Sequence, residues 1–130
     1  MRILIAEDQD EILELMVDGL TAECHEVITA KDGEEAWEKI QKENPDIILL
    51  DLMMPKMNGF EVLTKLRNNL SPTKRQPVII ISALNELQHI KKSFSLEADH
   101  YITKPWEMED IIKGIRLMSK LASQKESDSK

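Results

Sequence analysis

The apolar positions of this chain follow two alternating rhythms. Ile3-Leu4-Ile5-Ala6 is a short continuous apolar run that ends at Glu7-Asp8. Ile12, Leu13, Met16, Val17 and Leu20 then recur at helical spacing and predict one buried stripe. EVITA, residues 26–30, reads as a strand from its β-branched content. Asp32-Gly33 marks a turn or cap, and Ala36, Trp37 and Ile40 form a helix face that stops at Asn44-Pro45. IILLDL, residues 47–52, predicts a strand apolar on both faces, and Gly59 opens a helix with Leu63, Leu66 and Leu70 on its face. Residues 68–77 are polar, carry two prolines and predict a loop. VIII, residues 78–81, predicts another apolar strand, closing at Ser82. Leu87, Ile90 and Phe94 give a fourth helix face, and HYIT, residues 100–103, a short strand ending in Lys104-Pro105. Met108, Ile111, Ile112, Ile115 and Met118 mark the last helix. The charged tail, residues 123–130, predicts no ordered structure and leaves a domain over 1–122.

This is β-α repeated five times. Strands apolar on both faces and joined by helices predict a parallel sheet covered on both sides, an α/β doubly wound domain of three layers. In such sheets ligands sit beyond the carboxyl ends of the strands. Strand one ends in Glu7-Asp8, strand three in Asp51, strand four in Ser82 and strand five in Lys104. The topology therefore predicts one rim carrying three carboxylates, a hydroxyl and an amine.

Composition narrows what that rim can be. The chain has 130 residues, one domain's worth, and no apolar run approaches the roughly 20 residues of a membrane span. The N-terminus meets acids by residue 7, too soon for a secretory signal. One cysteine, Cys24, cannot form an internal disulfide, which fits a reducing cytoplasm. The net charge of −7 disfavours direct nucleic-acid binding and suits a cation or a basic partner. His25, His89 and His100 have no metal-ligand spacing, and Trp37 and Trp106 read as packing residues.

Crowded carboxylates need relief. At ~4 Å a like-charged pair costs about 1 kcal/mol in water and roughly 4 kcal/mol at an effective dielectric near 20. Either one acid takes a proton or a hard divalent cation sits between them. Oxygen donors without clustered histidine or cysteine select Mg2+, with Mn2+ as the alternative, over zinc. Asp8 and Asp51 would be the direct carboxylate ligands, with Glu7 acting through water. Lys104 and Ser82 suit phosphoryl oxygens, as point charge and hydroxyl donor. Carboxylates attack phosphorus to form aspartyl-phosphates, and Asp51, on the central strand, is the candidate nucleophile. Pro55 and Gly59 then steer the chain over the rim into the next helix.

Four segments together resemble the receiver domain of two-component response regulators: ILIAEDQDEI, DIILLDLMMPKMNGFEVL, PVIIISAL and ADHYITKPW. They occur in order over residues 2 to about 121. The resemblance implies a flavodoxin-like fold, chemotaxis-regulator-like, with strand order 2-1-3-4-5. It implies a phosphoryl group passed to Asp51 from a histidine kinase or histidine phosphotransfer protein. Mg2+ would be bound by Glu7, Asp8, Asp51 and the backbone carbonyl of Met53. Ser82 and Lys104 would hold the phosphoryl group, and Tyr101 would be the switch aromatic. Movement of Ser82 and Tyr101 would remodel the face of the fourth helix, fifth strand and fifth helix: Lys91, Lys92, His100, Tyr101, Trp106, Glu109 and Lys113. A downstream effector would dock there, and a phosphorylation-dependent homodimer is compatible with the same face. Such a module is a cytoplasmic phosphoprotein that promotes only its own phosphorylation and dephosphorylation.

The sequence departs from the family pattern in places. The acidic pair is Glu-Asp rather than Asp-Asp, Ser82 replaces threonine, and Trp106 replaces phenylalanine. Cys24 and Glu97 stand where many members have glycine at a helix end; a left-handed residue there carries strain on the order of 1 kcal/mol. Three rival functions follow from the same residues. A Mg2+-dependent phosphohydrolase with an aspartyl-phosphate intermediate would need a second acid where Met53 stands. A flavodoxin-like cofactor binder would need a Ser/Thr/Gly loop after strand one, where this chain has acids. A phosphorylation-independent docking receiver would not need the complete rim.

Overall fold

The computed structural model describes residues 1–68, 76–83 and 98–128, with side chains to Lys120. Its strands are β1 (Arg2–Ala6), β2 (Glu26–Ala30), β3 (Ile47–Asp51), β4 (Val78–Ala83) and β5 (His100–Lys104). Helices α1 (Asp10–Ala22), α2 (Gly33–Glu43) and α3 (Gly59–Asn68) alternate with the first strands, and α4 (Met108–Asp128) closes the described chain. The strands form one parallel sheet in the order β2-β1-β3-β4-β5. The doubly wound topology predicted from the pattern is the one observed.

Residue parity sorts the core into two halves. Leu4, Ala6, Ile48, Leu50, Val78 and Ile80 point to one face and pack with Ala36 and Ile40 of α2 and Val62 and Leu63 of α3. Ile3, Ile5, Ile47, Leu49, Ile79 and Ile81 point to the other and pack with Leu13, Met16 and Leu20 of α1 and Ile111, Ile115 and Met118 of α4. Side chains alternate along a strand, so continuous apolar runs feed both halves. Every residue of β3 is buried, which makes it the central strand in packing as well as in order.

Local chemistry sets the element ends. Asp32 caps α2 by accepting from the Glu35 amide at 2.8 Å. Asn44 ends α2 in a left-handed conformation at φ 47°. Cys24 follows α1 at φ 67°, so the glycine-like position after α1 is left-handed here and is filled by cysteine. At the rim opposite the strand ends, Asp99 accepts from the Val78 amide at 2.9 Å and from Arg67 at 3.0 Å, while buried Gln76 donates to the Pro45 carbonyl at 2.8 Å.

The tail read as unordered from residue 123 continues α4 as far as Asp128. Gln124, Lys125 and Glu126 are good helix formers, and no glycine or proline stops the helix. The helix read from Leu87, Ile90 and Phe94, the turn at Glu97 and residues 69–75 of the predicted loop lie outside the described residues.

Candidate functional site

Register brings the rim together. Ala6 pairs with Leu50, so Glu7 continues alongside Asp51. Asp51 pairs with Ile81, which places Ser82 one step beyond it, and Ala83 pairs with Lys104. Glu7, Asp51 and Lys104 also share the parity of the α1–α4 side of the sheet, so three strands direct one acid, a second acid and an amine toward one space.

Asp51 is the centre of that space and only 4% exposed. One carboxylate oxygen, Oδ2, lies 2.7 Å from Lys104 Nζ. The other, Oδ1, accepts from the Met53 amide at 2.9 Å. Burial opposes the charge on Lys104, but Asp51, with Glu7 and Asp8 behind it, raises its pKa above the ordinary lysine value. The ammonium is therefore held charged against the carboxylate.

Glu7 is 1% exposed, and among the described residues neither of its carboxylate oxygens has a hydrogen-bond partner. Burial, followed by the neighbouring Asp51 carboxylate, pushes its pKa up to about 8. Two ionised carboxylates cannot donate to each other; a proton on Glu7 lets it donate to Asp51. The alternative is a cation between them. The orphaned oxygens of Glu7 beside an acceptor-only Asp51 are the donor chemistry of a hard-metal site and fit Mg2+. Asp8 is exposed at the mouth, close enough to act electrostatically on Glu7 and Lys104. Among the described residues no three His, Cys, Asp or Glu side chains are gathered as a metal cluster.

The loop after β3 supplies the rest. Gly59 donates its amide to the Leu52 carbonyl at 3.1 Å, and Met57 to Pro55 at 2.8 Å. A Cβ on Gly59 would lie 2.8 Å from the Asp51 carbonyl oxygen, so glycine is required for the close approach. Asn58 caps α3 through its side chain, accepting from the Glu61 amide at 2.9 Å. The Met53 side chain is 64% exposed above the site.

The remaining predicted residues divide. Ser82 is buried at the end of β4, 2% exposed. Tyr101 is half-buried against the α2–α3 half of the core, and its hydroxyl has no partner among the described residues. His100, Tyr101, Lys113 and Leu117 line an open recess between β5 and α4 of about 430 Å³. Trp106 packs against the α1–α4 half of the core, while the Trp37 ring lies 6.0 Å from Lys65 Nζ. Lys91 and Lys92 lie outside the described residues. Sequence reasoning missed the Met53 amide bond to Asp51 and the seating of the β3–α3 loop on α2. Asp32-Gly33 was the available signal, but it reads equally well as an ordinary helix start.

Comparison with known proteins agrees with the fold. The family model described as response regulator receiver domain matches residues 3–123. Response regulator RR06 of Streptococcus pneumoniae is 39% identical over 118 residues, 91% of this chain and 52% of that protein. The alkaline phosphatase synthesis transcriptional regulatory protein PhoP of Bacillus subtilis is 35% identical over 125 residues, 94% of this chain and 51% of its own. The chain thus spans about half the length of these curated relatives. Among solved structures, a CheY-like receiver domain protein of Methanospirillum hungatei superposes with a TM-score of 0.87 at 30% identity, over 95% of this chain and 97% of its own. Chemotaxis response regulator CheY4 of Vibrio cholerae gives 0.83 at 28%, over 90% and 97%.

Proposed function

The chain belongs to the response regulator receiver domain family, and on that premise we propose that Asp51 is the residue that accepts the phosphoryl group. Membership makes it a signalling domain of two-component systems, a family that works with histidine kinases and downstream effectors. The observation that carries the assignment is the buried Asp51 carboxylate, held by Lys104 at 2.7 Å and the Met53 amide at 2.9 Å, beside the orphaned Glu7.

Each side chain then has a task. The Met53 amide fixes the rotation of the Asp51 carboxylate. One Asp51 oxygen attacks phosphorus; the O–P bond forms as the donor's P–N bond breaks, and the electron pair stays on the departing imidazole nitrogen. Lys104 moves from the carboxylate to a phosphoryl oxygen, and the Ser82 hydroxyl donates to another. Glu7, Asp8, Asp51 and the Met53 carbonyl would hold Mg2+, which, when bound, supplies positive charge against the phosphoryl oxygens. Burial of Asp51 and Glu7 keeps bulk water from the acyl phosphate.

The new group adds roughly −1.5 to −2 charges by analogy with phosphoserine. Ser82 moves toward it, and Tyr101, whose hydroxyl has no partner among the described residues, takes the vacated space. A change at the face of β5 and α4, including His100, Trp106, Glu109 and Lys113, carries the state to an effector or to a second copy. The domain works in the cytoplasm, acts on no substrate besides its own acyl phosphate, and does not itself bind nucleic acid. Among the described residues no helix is long and apolar enough to cross a membrane. Incubation with acetyl phosphate and magnesium should add one phosphoryl mass to the wild type and none to Asp51→Asn. An equal gain in the variant would move the acceptor elsewhere.

A further inference from the structure

The loop that carries Met53 rests on the first turn of α2. A Cβ built on Gly33 would sit 2.5 Å from the Met57 carbonyl carbon and inside the van der Waals shell of its oxygen. Both are backbone atoms, which cannot rotate away as a side-chain tip can. Gly33 is buried, and its φ is not positive, so space and not backbone freedom demands glycine there. The contact has a second strand to it. Asp32, one residue earlier, caps α2 with Oδ1 and faces Lys56 Nζ at 3.7 Å with Oδ2. Lys56 is itself left-handed at φ 68°, at the tip of the same loop. Met57 also packs into the α2–α3 half of the core. The loop is therefore fixed at three places: at Asp51 by the Met53 amide, at its neck by Gly59 to Leu52, and at its tip by α2.

We infer that Gly33 is a positioning residue for the phosphoacceptor site: flush contact between the N-terminus of α2 and Met57 sets where the Met53 backbone stands relative to Asp51. This rests on the receiver reading above. It adds that metal affinity depends on an element that contributes no ligand. A methyl group on Gly33 must lift the loop tip or tilt α2. Lifting the tip displaces Met53, which bonds Asp51 through its amide and is the expected ligand through its carbonyl. The coupling runs both ways, because a binding free energy shared between two elements is reciprocal. Filling the site must then be felt at the first turn of α2.

The test uses the whole chain and Mg2+ alone, by titration calorimetry, well below the unfolding temperature. Gly33→Ala should bind Mg2+ at least tenfold more weakly than wild type. Ile40→Val, which removes one buried methyl seven residues further along the same helix, should bind as wild type does. Equal affinity of Gly33→Ala and wild type, or an equal loss in Ile40→Val, would overturn the inference. A second measurement needs no variant. Amide resonances of the wild type should shift at Asp32–Glu35, as well as at Met53, on saturation with Mg2+. Shifts at Met53 with none at α2 would overturn the positioning role, whereas a wild type that binds no Mg2+ at all would overturn the receiver reading beneath it.

Discussion

Removing the charge of Glu7 should stabilise the metal-free protein, and by an amount that grows with pH. The pKa of Glu7 is raised from 4.5 to about 8, first by burial and then by Asp51. The folded state therefore binds a proton that the unfolded chain releases. Stability from this group is complete below the unfolded value and is lost as pH rises through the folded one. At a pKa difference worth about 1.4 kcal/mol per unit, the loss at neutral pH is about 3 kcal/mol. Above the folded value it reaches about 5 kcal/mol. Glu7→Gln keeps the shape, cannot ionise, and can donate an amide hydrogen to Asp51. Urea unfolding in chelator should show the two proteins equal near pH 4.5 and the variant ahead by about 3 kcal/mol near pH 7. Saturating Mg2+ should narrow or reverse the gap, since the cation stabilises only the wild-type carboxylate. A difference that stays flat from pH 5 to pH 9 would refute the reasoning, because it would mean that Glu7 ionises in the fold as freely as in the open chain.

Other perturbations separate fold from site. Cys24→Gly should raise stability by up to about 1 kcal/mol in urea, since cysteine there holds φ 67°. Asp99→Ala should cost about 3 kcal/mol, because it leaves mostly buried Arg67 and the Val78 amide without their shared acceptor; thermal melts with Arg67→Ala and the double variant would give the coupling. Leu49→Ala should cost roughly 2–5 kcal/mol by opening a cavity in the central strand, with Mg2+ affinity per folded molecule unchanged. Lys104→Met should leave Asp51 without its 2.7 Å partner and slow phosphoryl uptake from acetyl phosphate while sparing Mg2+ binding; equal uptake rates would remove Lys104 from the chemistry.

The sheet was legible in the sequence because strands buried on both faces leave continuous apolar runs. Ile47–Leu50 and Val78–Ile81 cannot be mistaken for solvated segments. The rim was legible for the same reason: a single acid at the end of such a run, as at Asp51, has no apolar explanation. The resemblance to receivers added order and roles that spacing alone does not contain. What escaped was backbone contact. The Met53 amide and the Gly33–Met57 contact belong to the main chain, and main-chain approach leaves no mark in residue type beyond a glycine. Residues 123–128, polar and helix-prone, carry no stripe to distinguish helix from coil.

The sorting of side chains by odd and even position makes strand length a chemical quantity. Glu7, Asp51 and Lys104 meet because each sits a whole number of pleats from its neighbours. Deleting one residue inside β3 would turn Asp51 to the opposite layer and set Leu52 in its place at the rim, and a deletion inside β5 would turn Lys104 away likewise. Point substitutions in these strands are therefore gentler on the chemistry than single-codon insertions or losses. Length variation accumulated during divergence, or introduced by an engineer, should be tolerated in the connections and not in the short spans that precede the rim.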